Sequence, residues 1–336
     1  MADTIINGYR LLQPLKSENA GFSRWTIAAK DDRQWFLKEL MNPVYPPDHS
    51  PHSDETRRKL RARCHAWQAD TVRRYEAINR ASDGNIVRIE AFFRWGSHYY
   101  IASRRVATQG DFDAVVAKCD AGQRLQLCLV LAHALMRLHN AGIVHADLKP
   151  DNLLPERTPD GSITLKLVDF EGSFFEREGT EEVNGDQVYF APETVRFMQG
   201  DPDARPRRKS DVFAAGLIFH RILTGALPAL PEGCDYAFEA LLDEKGLELS
   251  PLLPPKLQAI IARMLATRPE MRCTMERAFY ALRSWRDGEA EAADGEGPAE
   301  DNVSRIRLGK GLNRSDAPPE ESVSTWDDAF HQAGDL

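Results

Sequence analysis

The sequence predicts an α+β protein with two parts, a small β-sheet part with one main helix and a larger, mainly helical part. Short β-like runs dominate the chain as far as residue 106, and apolar segments of helical period dominate residues 107–286. A chain of 336 residues with 42% hydrophobic residues is long enough to build a substantial core for such a fold.

The first part, residues 1–106, contains five β-like runs and one polar stretch compatible with a long helix. Four prolines between positions 41 and 53 exclude a regular helix there, so we expect the helix to begin near Ser53 or Asp54. The β-like runs are YRLLQPL, WTIAAK, QWFLKEL, NIVRIEAFF and HYYIASRRV.

The second part, residues 107–286, begins with a segment whose leucines recur at helical spacing. We expect a buried helix there that stops near Gly142. Two short strands around 152–154 and 164–170 follow, and the turn-forming sequence TPDGS between them predicts a hairpin. The later segments DVFAAGLIFHRILTG and PPKLQAIIARMLA predict two more helices.

The composition changes at residue 287, where DGEAEAADGEGPAED carries seven acidic residues and no basic one. We therefore expect residues 287–336 to form a disordered acidic tail. Val323, Trp326 and Phe330 recur at helical spacing within it. They predict a short docking helix near 323–333, either for a partner or for another part of this chain.

Charge and cysteine usage narrow the function classes. The net charge of -8 and the pI near 5.7 argue against a nucleic-acid binder. The sequence contains neither a leader-like start nor eighteen consecutive apolar residues, so we expect neither export nor a membrane protein. The five cysteines lack metal-ligand spacing, which favours reduced thiols and a cytoplasmic location.

The sequence HADLKPDNLL, followed by VDFEG, carries the chemistry. Asp147 could accept the hydrogen bond of a substrate hydroxyl, and Lys149 could lie against a transferring phosphate. Asn152 and Asp169 offer the hard oxygen ligands that Mg²⁺ prefers. Phosphoryl transfer needs little more than a placed nucleophile, a metal ion and neutralised charge, so this set suits it.

These segments resemble the motifs of the eukaryotic-type protein kinase family, in which the catalytic loop reads HRDLKPxN and the metal-binding turn reads DFG. The Lys149-Pro150 pair resembles the serine/threonine branch. Three further matches lie in family order: FLKEL upstream, then GDQVYFAPE at 185–193 and SDVFAAGLI downstream. The resemblance covers roughly residues 9–286.

The resemblance implies a bilobal protein-kinase-like fold and an ATP- and Mg²⁺-dependent enzyme that phosphorylates Ser or Thr hydroxyls of a protein substrate. Lys38 takes the place of the lysine that holds the α- and β-phosphates. Adenine is expected against Phe36 and Leu154, with backbone groups from Arg104 to Val106 reading its edge. Structural support is expected from His145, Phe170, Asp211 and the pair of Glu193 with Arg272.

Several positions depart from the family. The three glycine positions of the phosphate-covering loop fall on Glu18, Ala20 and Ser23. Phe36 stands where the family has a small alanine, and Ser103 takes the gatekeeper position. The partner of Lys38 stays open, because an ungapped count falls on Arg74, while Glu76 is the nearest acid and Asp70 lies one turn earlier. We favour Glu76.

Three more departures lie near the catalytic loop. Ala146 replaces the arginine that reads a phosphorylated activation segment, so a phosphate on Ser173 or Thr180 would lack that acceptor. Glu171 replaces the glycine of DFG. Asp186 replaces a threonine, and could pair with Lys149 or hinder substrate entry. Together these departures favour a divergent, bacterial-like branch, whose members often act beside a phosphatase or a phosphopeptide-binding partner.

Two other functions compete with an active protein kinase. A pseudokinase scaffold with weak nucleotide binding would act through its C-terminal tail, and the altered glycine loop favours it. The retention of Asp147, Lys149, Asn152 and Asp169 argues against it. A small-molecule kinase of the antibiotic-phosphotransferase type shares the fold, but the LKP and APE segments resemble kinases that act on peptides.

Overall fold

The computed structural model describes residues 4–18 and 23–294, with side chains as far as residue 288. Within these ranges the chain divides into two compact units. The first unit comprises residues 4–18, 23–79 and 87–106, and the second comprises residues 80–86 and 107–294. The predicted tail helix at 323–333 lies outside the described residues, as do Ala20, Gly21 and Phe22 of the phosphate-covering loop.

The first unit contains an antiparallel six-stranded sheet with the strand order β1-β2-β3-β4-β6-β5. The strands are β1 (Ile5–Ile6), β2 (Tyr9–Leu11), β3 (Ser23–Lys30), β4 (Arg33–Leu40), β5 (Ala91–Trp95) and β6 (His98–Arg104). Helix α1 (Asp54–Ala81) begins where the prolines end, which confirms the predicted start.

The two faces of this sheet bury different sets of side chains because neighbouring residues of a strand point in opposite directions. One face holds Phe93 and Tyr100 in an apolar cluster with Tyr9, Trp35 and Leu37. On the other face, the rings of Phe92 and Tyr99 pack against aromatic residues of α1, Trp67 and Tyr75.

The second unit is mainly helical. Its helices are α2 (Phe112–Val116), α3 (Ala121–Asn140), α4 (Pro192–Met198), α5 (Arg208–Thr224), α6 (Ala237–Leu242), α7 (Pro255–Met264) and α8 (Met275–Asp294). Its short strands are β7 (Ile143–Val144), β8 (Leu153–Arg157), β9 (Ile163–Leu167) and β10 (Phe174–Phe175). Among the described residues, no helix has the length and apolar character that a membrane span requires.

Local signals explain where the main helices begin and end. Asp120 and Gln123 form a capping box that starts α3. Gly225 adopts φ 86° at the end of α5, a left-handed conformation that suits glycine. The predicted hairpin is confirmed, because β8 and β9 pair antiparallel from Leu153 opposite Leu167 to Arg157 opposite Ile163.

Two local predictions differ from the structure. Only the last three residues of the run NIVRIEAFF lie in a strand, β5, because Ile86 instead makes a parallel bridge to Leu167 and the Asn85 side chain donates to Leu165 O at 2.9 Å. The helix α8 was not predicted, and it continues to Asp294, eight residues beyond the sequence boundary at 286. Glu and Ala residues in this segment are good helix formers.

Candidate active site

A buried carboxylate on α5 anchors the loop from Ile143 to Asn152 by hydrogen bonds to the loop backbone. Asp211, only 2% exposed, accepts hydrogen bonds from His145 N at 2.8 Å and Ala146 N at 3.0 Å. The Nε2 atom of His139 on α3 lies 2.9 Å from the same carboxylate. Burial by itself would raise the Asp211 pKa, but the hydrogen bonds and charges of His139 and His145 together outweigh it and hold that pKa below its usual range.

Asp147, Lys149 and Asn152 form one hydrogen-bonded cluster. Lys149 Nζ lies 2.8 Å from Asp147 Oδ2. Asn152 Nδ2 donates to Asp147 O at 2.7 Å and to Asp147 Oδ2 at 3.2 Å. The loop is short because Pro150–Asn152 forms a single 3₁₀ turn with proline at its start. The side chains of Lys149 and Asn152 therefore fix the direction of the Asp147 carboxylate.

The hairpin of β8 and β9 returns the chain to this cluster. Val168 N donates to Asn152 O at 3.0 Å. The residue that precedes Asp169 is therefore bonded directly to the catalytic loop. Asp169 has φ 65°, an unusual left-handed conformation for a residue with a side chain. Phe170 then packs edge-on against the His145 ring at 5.3 Å, and His145 Nε2 donates to Val168 O at 3.1 Å.

The side chains around Asn152 suit a magnesium ion. Because Asn152 Nδ2 is the atom bonded to Asp147, its Oδ1 is the atom that could bind a metal. Asp169 supplies a carboxylate from the adjoining turn. Magnesium binds through one or two protein oxygens and keeps water and phosphate oxygens for its other positions. The donor set therefore fits Mg²⁺ held together with phosphate and water oxygens. The described part of the chain contains no group of three or more His, Cys, Asp and Glu residues that could hold a metal ion by itself.

A buried ion pair joins the first turn of α4 to the segment just before α8. Arg272 Nη1 and Nη2 contact Glu193 Oε1 and Oε2 at 2.7 and 2.8 Å, so the pair is bidentate. Arg272 also donates to the carbonyl oxygens of Ala266, Thr267 and Lys209. The Arg272 side chain is fully buried, and every face of its guanidinium has a partner or packs on Phe213.

Asp186 and the two hydroxyl residues considered as phosphorylation sites have local partners. Asp186 Oδ1 accepts a hydrogen bond from Val188 N at 3.0 Å, and Lys149 contacts Asp147. Ser173 is 2% exposed, and its hydroxyl donates to Phe170 O at 2.6 Å, so it is a structural residue of the turn that follows Asp169. The Thr180 hydroxyl donates to Glu182 O at 2.5 Å.

The first unit holds Lys38 and Phe36 on one face of its central strand. In β4, Lys38 lies opposite Trp25 of β3 and Ile101 of β6, and only 9% of Lys38 is exposed. Phe36 lies opposite Ser103 and Ile27. A lysine with so little exposure needs compensation for its charge, which distinguishes Lys38 from the solvent-facing lysines of a sheet edge.

Helix α1 carries the two acids considered as partners of Lys38. Asp70 contacts Arg73 Nη2 at 2.5 Å and Arg74 Nη1 at 3.4 Å within the same helix. Its charge is therefore already engaged by two arginines. Glu76 is half-buried on the same helix. Arg74, on which an ungapped count falls, is a cation and cannot serve Lys38 as a counter-ion.

The remaining predicted nucleotide residues lie at strand ends. The Arg104 guanidinium lies over the Trp35 ring at 5.7 Å and 3.8 Å from Glu90 Oε1, so its side chain serves the sheet. Val106 is half-buried just beyond β6. Leu154 is half-buried in β8, opposite Lys166 of β9.

Two functional features escaped the sequence analysis. Trp25 stacks on Phe36 with ring centroids 5.6 Å apart, so this sheet face carries an aromatic pair beside Lys38. Gly185 packs so closely that an added Cβ would lie 3.1 Å from Asp147 Oδ1 and 2.8 Å from the Phe190 ring. The β-spacing WTI could have indicated Trp25, whereas the contact of Gly185 depends on long-range packing.

The fold and this cluster define the class of protein kinases. A sequence profile of the family described as the protein kinase domain matches residues 57–281, more than half of the chain. The chain therefore belongs to the protein kinase domain family.

Curated relatives agree with this membership. The chain is similar to calcium-dependent protein kinase 5 of Oryza sativa subsp. japonica, with 30% identity over 203 residues, 58% of this chain and 35% of that protein. It is similar to calcium-dependent protein kinase SK5 of Glycine max, with 28% identity over 224 residues, 64% of this chain and 42% of that protein. The chain thus spans less than half the length of these relatives.

Proposed function

We propose that this protein is a serine/threonine protein kinase that uses ATP and Mg²⁺ to phosphorylate a protein substrate. The observation that carries the proposal is the bonded cluster of Asp147, Lys149 and Asn152, with Asp169 on a turn attached to Asn152. The similarity to plant protein kinases supports the same reaction. The calcium dependence in the names of those relatives describes those proteins and is not carried over to this chain.

Asp147 is the residue that receives the substrate. Asn152 and Lys149 orient its carboxylate, so it can accept the hydrogen bond of a Ser or Thr hydroxyl. It takes the hydroxyl proton as that oxygen bonds to the γ-phosphorus of ATP, while the bond from the γ-phosphorus to the bridging oxygen breaks and ADP leaves. Lys149 offers its positive charge to the transferring phosphoryl group while it remains close to Asp147. The protein forms no covalent bond to the substrate in this scheme. Positioning of the reactants and stabilisation of the transition-state charge account for most of such catalysis.

We assign the nucleotide to the residues that the family resemblance indicates. Asn152 and Asp169 would bind magnesium, which when bound neutralises charge on the phosphates. Lys38 binds the α- and β-phosphates, with Glu76 as its orienting acid. The adenine contacts Phe36 and Leu154, and backbone groups of Arg104 to Val106 bind its edge.

The remaining predicted residues act as supports of this site. His145 and Phe170 pack together and carry the catalytic loop and the metal-binding turn, while Asp211 holds the backbone between them. Glu193 and Arg272 fix the segment that follows residue 185. We assign the protein to the cytoplasm on the basis of its free cysteines, and a phosphatase or phosphopeptide-binding partner fits its reaction.

The proposal is tested by incubating the purified chain with γ-labelled ATP and a degenerate library of Ser/Thr peptides. Transfer should require Mg²⁺ and should fall by at least about a thousandfold in Asp147→Asn, since a positioned catalytic group contributes on this order. Asp169→Asn should behave similarly. The matched control is Asp160→Asn in the β8–β9 turn, which should retain wild-type transfer.

Circular dichroism would establish that the variants fold. Wild-type protein that transfers no phosphate to the library or to itself would overturn the proposal and favour a pseudokinase scaffold. Full transfer by folded Asp147→Asn would overturn the role assigned to that residue.

A further inference from the structure

Three residues distant in sequence form a hydrogen-bonded chain outside the cluster described above. They are Asp113 in α2, Arg221 in α5 and Tyr189 at the end of the 3₁₀ turn Gln187–Tyr189. Arg221 Nε donates to Asp113 Oδ1 at 2.8 Å, and Arg221 Nη2 contacts Asp113 Oδ2. Arg221 Nη1 donates to Tyr189 Oη at 2.7 Å.

Neighbouring buried residues hold each of these three residues in place. Asp113 belongs to a short helix anchored by the buried residues Phe112, Val115 and Val116. Arg221 lies near the end of α5, directly after a run of buried residues. Its planar guanidinium group binds both partners at once. Tyr189 is 6% exposed, and burial raises its pKa to about 12, so its hydroxyl stays protonated at neutral pH.

Tyr189 also lines a cavity that contains the Asp147 carboxylate. The cavity is small and partly open, and Asp147 and Tyr189 share its wall with Leu148, Val183, Phe190 and Pro206. Its lining combines apolar side chains with the carboxylates of Asp147 and Asp186. A peptide whose hydroxyl reaches Asp147 would place its neighbouring residues against this wall.

We propose that Asp113 and Arg221 are positioning residues that fix Tyr189 as a wall of the peptide-binding cavity beside Asp147. This inference rests on the proposed function. Arg221 acts through Tyr189, and Asp113 acts through Arg221, so neither needs to touch the substrate. The chain of contacts couples α2 to a cavity wall that lies 76 residues further along the sequence (189 minus 113).

The geometry predicts which kinetic constant should change. A tyrosine that loses its anchor can shift within the wall, which weakens the binding of the peptide but leaves Lys38, Asn152 and Asp169 untouched. The KM for peptide should therefore rise while the KM for ATP stays constant. Loss of a hydrogen bond to a charged group predicts a rise of roughly ten- to a hundredfold.

The experiment uses the full chain and one single-serine peptide, chosen from a degenerate library as the fastest acceptor of the wild-type protein. Tyr189→Phe keeps the ring and removes the hydroxyl, Asp113→Asn removes the charge that orients Arg221, and Arg221→Lys keeps the charge but loses the fork. Asp287→Asn is the matched control, because it breaks an exposed contact with Arg286 on α8.

All three variants should raise the peptide KM with little change in the ATP KM, and Arg221→Lys should not restore wild-type behaviour. The double variant Asp113→Asn with Tyr189→Phe should raise the peptide KM no further than the larger of the two single variants, because both act through Arg221. Thermal melting would show that the variants remain folded.

Wild-type peptide KM in Tyr189→Phe and Asp113→Asn, with active protein, would overturn this inference alone. A strictly additive double variant, or an equal rise in the ATP KM, would overturn it as well. A wild-type chain without any transfer would instead overturn the proposed function on which it rests.

Discussion

Lys38 combines a positive charge with an almost buried position in the sheet. It sits in the middle of β4, where the neighbouring residue Leu37 is fully buried in the core on the opposite face. A positive charge at 9% exposure is costly unless a charged partner or ligand compensates it. We propose phosphate binding as the role of this charge.

The variant Lys38→Met should keep the fold and lose the reaction. Methionine preserves the apolar stem in the sheet but removes the charge offered to the phosphates. We expect kcat/KM for ATP to fall by about 10²–10³-fold, the usual cost of removing one charged or donor group from a transfer site. Steady-state kinetics at varied ATP would measure it.

The matched control is Lys30→Met at the exposed end of β3, where Lys30 Nζ lies over the Tyr9 ring at 4.5 Å. It should leave the ATP kinetics unchanged. Equal losses in both variants would show that the effect comes from disturbing the sheet, and the phosphate role of Lys38 would then be wrong.

At the scale of elements, the link between α4 and the start of α8 depends on the pair of Glu193 with Arg272. Ser210 of α5 adds a hydrogen bond to Glu193 Oε1 at 2.7 Å, so three elements meet at this carboxylate. A buried pair of this kind contributes little over an apolar replacement, yet its half-removal leaves a charge without its partner.

The variant Arg272→Met should therefore be strongly destabilised. We expect a loss of about 3–5 kcal/mol in the free energy of unfolding, because the Glu193 carboxylate would remain buried. The double variant Glu193→Gln with Arg272→Met should be milder than Arg272→Met alone, since no buried charge remains. Urea unfolding followed by circular dichroism would measure both.

The exposed pair of Arg196 with Asp201 offers the comparison, with the Arg196 side chain 56% exposed. Arg196→Met should cost no more than about 1 kcal/mol. A loss of similar size in Arg272→Met would contradict the structural role given to the buried pair.

At the scale of the whole molecule, a ligand that binds only the folded chain must raise its stability. If the chain binds ATP through magnesium, a concentration of ATP at 100 times its Kd should add about 2.7 kcal/mol to the free energy of unfolding. This stabilisation should disappear when the metal is removed by EDTA, because phosphates without the cation bind more weakly.

Thermal unfolding with ATP, with and without Mg²⁺, measures this linkage. In Asp169→Asn the magnesium-dependent part of the shift should be lost, while Asp160→Asn should retain it. An ATP shift that is identical with and without magnesium in the wild-type chain would contradict the metal site assigned to Asn152 and Asp169.

Local chemistry explains which elements could be predicted from the sequence. The prolines before Asp54 exclude helix by themselves, and the turn residues TPDGS define a hairpin whose two strands are adjacent in the chain. The order of the catalytic segments likewise predicted the family, which the sequence profile confirms. Each of these signals acts over a few residues or depends only on their order.

The sequence by itself therefore determined the fold class, the family and the chemical character of the catalytic loop. The tertiary structure decided the stacking of Trp25 on Phe36, the approach of Gly185 to Asp147, the bridge of Ile86 and the chain from Asp113 to Tyr189. These contacts join residues up to 108 positions apart, and no local period or turn signal records such a partner. Long-range packing selects them because it alone brings those side chains within bonding distance.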